Sequence, residues 1–93
     1  MNEAIDKNRW VYILIQNPGD NEEYVAFEED GVNFVPAFDT KEEAASWKQR
    51  VPGADESKLE VQAFFLTELR RETIERGYRI YILDNQGQKK ETF

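Results

Sequence analysis

The chain of 93 residues contains no cysteine and no histidine. Their absence removes disulfides, thiolate nucleophiles, imidazole acid–base chemistry and every zinc site built on nitrogen or sulfur. No stretch approaches the roughly 20 consecutive apolar residues of a membrane-crossing helix. The opening Met1-Asn2-Glu3-Ala4-Ile5-Asp6 lacks the basic and apolar regions of a signal peptide, and a cytoplasmic location is expected. Positive charge is also short. The net charge of −7 opposes sequence-independent binding to phosphate backbones or anionic lipid, so neither a nucleic-acid nor a membrane partner is expected. No internal repeat, low-complexity tract or linker is visible.

What is present describes a packed protein. Apolar residues make up 40%, charged residues 33% and aromatics 13%, an aromatic content well above that of disordered chains. A chain of this length forms one domain and buries only about 60 to 65 per cent of its unfolded surface, so one thin core carried largely by aromatics is expected. The acidity is uneven. Residues 1–50 hold 11 acids against 5 bases, and residues 51–93 hold 8 against 7.

Residues 1–8 are polar and patternless and read as an arm. Trp10 to Ile15 is β-branched and aromatic and apolar at every position, which suits a strand covered on both faces, or on one face plus a partner chain. Asn17-Pro18-Gly19-Asp20-Asn21 ends it. Tyr24 to Phe27 and Val32 to Val35 flank an Asp30-Gly31 hairpin signal, and Pro36, lacking an N–H, suits a strand end or a sheet edge. In Asp39-Thr40-Lys41-Glu42-Glu43, Thr40 can cap the Glu43 N–H while Glu43 reaches back. Ala44, Trp47 and Val51 then form a helical stripe that lies on the sheet and ends before Pro52-Gly53. Leu59, Val61 and Ala63 alternate as a fourth strand. Thr67 can cap a second helix to Arg76, with Leu66, Leu69, Thr73 and Ile74 inward and Gly77 as its stop. Tyr78 to Leu83 is a fifth strand, broken by Asp84-Asn85-Gln86-Gly87. Residues 9–84 therefore read as a single α+β domain, order β-β-β-α-β-α-β, with a mostly antiparallel sheet and two helices. Residues 85–93 are a tail or the limb of a short hairpin.

The order of elements and the phrase Val35-Pro36-Ala37-Phe38-Asp39-Thr40-Lys41-Glu42-Glu43-Ala44, with Trp47 one turn on, resemble the N-terminal domain of SseB-like proteins. Leu59 to Ala63, the helix over Leu66 to Arg76 and Gly77-Tyr78 entering a strand resemble a family of small plastid and cyanobacterial domains of unknown function. Asn17-Pro18-Gly19 follows the first strand, whereas SseB-like domains usually carry such a phrase near the domain's end. Neither family brings a settled catalytic activity, and the resemblance implies a regulatory or protein-binding domain.

Three clusters invite a chemical reading. Asp20, Glu22, Glu23, Glu28, Glu29 and Asp30 offer oxygens for a hard cation, but the ordered spacing of an EF-hand loop is missing. Solvated hairpin loops, or a docking surface for a basic partner, account for the same residues. Asp39, Glu42 and Glu43 are explained by capping and the helix dipole without catalysis. Arg70, Arg71 and Arg76 sit among Glu68, Glu72 and Glu75 at spacings that suit ion pairs on the helix surface. Arg79 interrupts an apolar strand.

With both helices on one side, Tyr12, Leu14, Tyr81 and Leu83 would line an open second face, a contact surface together with Tyr78 and Arg79, unless one set of them packs under Phe64, Phe65 or the C-terminal tail. The expectation is a protein-interaction or regulatory domain without catalysis, metal or cofactor, acting on a protein partner or as a homodimer. The alternative is a binding domain for a small anionic ligand at Tyr78, Arg79 and Tyr81.

Overall fold

The computed structural model describes residues 9–19, 21–51 and 55–93. The expected arm at 1–8, Asp20 and the Pro52-Gly53 helix stop lie outside these residues. Seven strands, β1 (Trp10–Gln16), β2 (Glu23–Tyr24), β3 (Phe27–Glu29), β4 (Val32–Phe38), β5 (Leu59–Phe65), β6 (Arg79–Leu83) and β7 (Lys89–Thr92), form one sheet. Two helices, α1 (Lys41–Trp47) and α2 (Leu66–Glu75), accompany it. The domain is α+β, and among the described residues of the mixed sheet only β4 with β6 runs parallel.

The sheet path runs β2-β1-β4-β6-β7, with β5 on β1 and β3 on β4. The registers place the branches. Ile15 pairs with Tyr24 of β2 and with Glu60 of β5, and Tyr12 pairs with Phe38 of β4 and with Ala63 of β5. A strand has two edges, so β5 holds one edge of β1 along its whole length while β2 and β4 share the other. By the same logic Phe34 pairs with Phe27 and Arg79, and Ala37 with Ile13 and Ile82. Strands β3 and β1 therefore share the edge of β4 opposite β6.

The expected strand from Tyr24 to Phe27 is divided for this reason. Its first part follows β1 and its second follows β4, with Val25 and Ala26 spanning the wedge where those strands diverge. Val25 remains anchored through its N–H to the Leu14 carbonyl at 3.0 Å. The same divergence corrects the expectation for Pro36, which is fully buried in a central strand rather than at an end or edge. Along the edge shared by β3 and β1, positions 35 and 36 pair with neither strand. Proline occupies the changeover, where an extended neighbour with no free donor fits.

Alternation then assigns the two faces. Val11, Ile13, Ile15, Val35, Ala37, Ile80 and Ile82 pack with Leu66 and Leu69 of α2. Leu83 and Tyr81 pack with Phe38 and Ala44, joined by Tyr12, Phe34 and Trp47, while Leu14 lies with Val25 and Leu59 under Trp47. The helices therefore cover opposite faces, not one, which is why β1 has no polar position between Trp10 and Ile15. Each fully buried Leu, Ile or Phe contributes roughly 1.5–3 kcal/mol.

Local chemistry fixes the helix ends. The Thr40 Oγ1 accepts the Glu43 N–H at 3.1 Å, and the Thr40 hydroxyl donates to Glu43 Oε1 at 3.1 Å. That is the expected reciprocal cap, closed on the hydroxyl. Thr67 is not the cap of α2. Strand β5 runs straight into the helix, Phe65 is its flanking residue without a side-chain cap, and the Leu66 N–H donates to the Arg9 carbonyl at 2.9 Å. At the other end Gly77 (φ +81°) donates to the Ile74 carbonyl at 3.1 Å and Tyr78 to the Thr73 carbonyl at 2.9 Å, both bonds of a Schellman stop. Ile74 points outward, at 57% exposure, against the inward placement expected for it.

Candidate functional site

The six residues expected to form a contact surface do not form one. Leu14, Tyr81 and Leu83 are buried and Tyr12 is half-buried, all on the face that α1 covers. Tyr78 is half-buried against the cluster under α2, on the other face, and Arg79 is exposed. The anion trio of Tyr78, Arg79 and Tyr81 is split across the sheet and cannot converge on one ligand.

Among the acidic candidates Asp39 is the most engaged. Asp39 accepts from Lys90 Nζ at 2.6 Å and from Arg9 at 3.1 Å, and Arg9 also donates to Glu91 at 2.5 Å. Partial burial pushes the Asp39 carboxyl up, but the bonds from Lys90 and Arg9 outweigh it and hold the group below its usual range. The bond to Glu91 leads in raising Arg9, and that to Asp39 in raising Lys90. This network ties β7 to the start of β1 and the exit of β4. It stabilises the ionised carboxylate, the opposite of what a general acid at neutral pH requires. Among the described residues no three acids converge on a cation position.

The expected ion pairs along α2 are also replaced. Among the described residues three of the four ion pairs instead tie β7 to Arg9, Glu29 and Asp39, and the fourth joins Arg9 to Asp39. Glu72 accepts the hydroxyl hydrogen of Tyr24, and the Arg76 guanidinium lies 5.2 Å from the centre of the Tyr24 ring. Burial, followed by the bond to Glu72, pushes the Tyr24 hydroxyl up to about 12 against the opposing charge of Arg76. A cavity of about 240 Å³ beside it is lined by Gln16, Glu23, Tyr24, Ala26, Arg76 and Tyr78. Glu23 shares this cavity with Arg76, and Glu22, Glu23 and Glu72 share a neighbouring one with it, an acidic surround that does not favour an anion.

One edge of the sheet is left outside this packing. Among the described residues no strand pairs with the outer edge of β5. Strand β5 keeps an unbroken seven-residue register with β1, contains no proline and carries one charge, Glu60. The opposite edge, β7, is protected in the usual ways: it is four residues long, carries Lys89, Lys90 and Glu91, and pairs through a register shift at Ile82/Leu83. Beside the bare edge stands Trp10, 48% exposed, its ring centre 4.0 Å from that of Phe65. These two pair across β1 and β5, and the next pair on their face joins half-buried Tyr12 to exposed Ala63. Helix α1 leaves this corner uncovered. Sequence reasoning passed over it because Trp10 read as part of a covered strand, and an edge strand is recognised only once its neighbours are known.

Comparison with protein-family models, with curated proteins and with solved structures finds no match. The SseB-like resemblance therefore rests on the residues quoted for it alone.

Proposed function

We propose that the protein is an interaction module without catalysis, acting in the cytoplasm by strand addition at β5, and that its partner is a second copy of the chain. The observation that carries this is the unprotected outer edge of β5. Backbone donors and acceptors along such an edge template another strand.

Self-pairing suits the sequence of β5. In an antiparallel pair centred on Gln62, Leu59 meets the second copy's Phe65 and Val61 meets its Ala63, a wholly apolar row on the α1 face. On the other face Gln62 meets Gln62 and Glu60 meets Phe64, so no like charges stand opposite. A two-fold axis makes each contact occur twice and closes the assembly at a dimer. Trp10, tilted against Phe65, flanks the row as the aromatic anchor such contacts favour.

Light scattering across concentration tests the reading. The expected result is twice the chain mass at high concentration, strengthened by salt because two chains of net charge −7 repel and salt screens them. Ala63→Lys, on an exposed position beside the two-fold axis, is expected to restore the monomer without unfolding it. A monomeric mass at millimolar concentration and high salt overturns the proposal.

A further inference from the structure

Outside that edge, one cavity carries a chemistry of its own. About 250 Å³ in volume, it is lined by Glu29, Phe34, Trp47, Tyr81, Gly87 and Lys89 among others. Its floor is aromatic. Phe34 and Tyr81 stack with ring centres 4.3 Å apart and planes 19° from parallel, and Trp47 forms a wall, held edge-on by Phe27 at 5.7 Å. Gly87 brings the β6–β7 turn against this wall with φ at +84°, where a Cβ would stand 3.7 Å from Trp47 Cζ2 and 3.3 Å from Arg50 Nη1. The Trp47 Nε1–H is buried there without a hydrogen-bond partner.

The cavity already holds an ammonium group. Lys89 Nζ lies 4.7 Å from the centre of the Tyr81 ring and 3.2 Å from Glu29 Oε1. Phe34 takes one face of Tyr81, and the lysine cation takes the other. An electron-rich ring face with a carboxylate beside it is the arrangement that attracts organic cations, and Glu28 and Asp30 add negative charge on the same hairpin. The tenant is weakly held: both side chains of the Lys89–Glu29 pair are about half exposed, at 47% and 51%. Such pairs add little stability.

We infer that this cavity is a binding site for quaternary ammonium groups, which Lys89 occupies from within the chain until one arrives. A trimethylammonium group is large, weakly hydrated and unable to donate hydrogen bonds. It gives up less solvation than a primary ammonium on entering an aromatic site, while keeping the attraction to Tyr81 and Glu29. This site lies on the α1 side next to β7, across the sheet order from β5, and does not depend on the dimer.

The test is titration of the full chain with tetramethylammonium chloride, followed by NMR at the Trp47 indole N–H and the backbone of Glu29, Tyr81 and Gly87, against sodium chloride at equal ionic strength. Saturable shifts specific to the organic cation are expected. Lys89→Ala, on an exposed edge residue, should bind about fivefold tighter because the competing tenant is gone, and Glu29→Gln should bind several-fold more weakly. Choline and free trimethyl-lysine separate the sources: tighter binding of one assigns a headgroup-like or a side-chain-like ligand, and equal binding assigns recognition to the ammonium group itself. Shifts identical to those in sodium chloride, or an unchanged affinity in Lys89→Ala, overturn the inference.

Discussion

Tyr24 donates its hydroxyl hydrogen to Glu72, and through that bond the two-residue strand β2 is fastened to α2, the helix that covers the same face. The bond joins positions 48 residues apart. It holds down the segment that fills the wedge between β1 and β4.

Tyr24→Phe is expected to destabilise the fold by about 0.5–1.5 kcal/mol, the range for one hydrogen bond, as read by urea denaturation. The wild type carries a pH signature. The Tyr24 hydroxyl titrates at about 12 in the folded chain against an ordinary value of 10.0. Its contribution to stability is complete below pH 10 and is lost as pH rises from there through 12. Tyr24→Phe should lose that dependence, and an alkaline ultraviolet titration should lose the step near pH 12.

Asp39 runs the other way. Its folded carboxyl lies below the ordinary 3.8, so the stability it contributes is present above that pH and lost as pH falls through the folded value. Asp39→Asn should cost no more than about 1 kcal/mol at neutral pH and low salt, since the groups involved are partly exposed. Thermal melts of the two proteins should converge in strong acid and draw together in high salt.

Gly77→Ala tests the stop of α2. A Cβ at Gly77 would meet nothing within 4 Å, so the cost is the left-handed backbone alone, about 1–2 kcal/mol. Gly77→Asn should lose less, because asparagine tolerates that conformation better.

Ile74→Glu and Leu69→Ala together test which side of α2 is inward. The first should stay within about 0.5 kcal/mol of wild type, as exposed substitutions do. The second, at a fully buried position, should cost about 2–5 kcal/mol. Equal losses in chemical denaturation would refute the orientation described.

Much of the local structure was legible because its causes are local. The cap of Thr40 on Glu43, the stop at Gly77, the Asp30-Gly31 hairpin and the alternation of Leu59, Val61 and Ala63 each depend on residues within one turn or one pleat. Tyr12, Leu14, Tyr81 and Leu83 do share a face, as alternation requires. Whether that face was open could not be read, since every position from Trp10 to Ile15 is apolar. The error over Pro36 is also one of neighbours: a strand end or a sheet edge was expected, and a gap between two neighbouring strands served instead. Ile74 and Thr67 were misplaced because β5 enters α2 without a loop, which fixes where the helix begins and so which of its sides faces inward.

By itself the sequence determined the class of the fold, most of its elements, their faces and the exclusion of thiol and imidazole chemistry, because side-chain type, alternation and helical spacing act over a few bonds. Only the tertiary structure decided that the helices take opposite sides, that β5 is left as an outer strand, and that Lys89 rests between Tyr81 and Glu29. Those outcomes depend on which distant segments become neighbours, and burial of apolar surface, which is not directional, favours several such arrangements until the whole chain is packed.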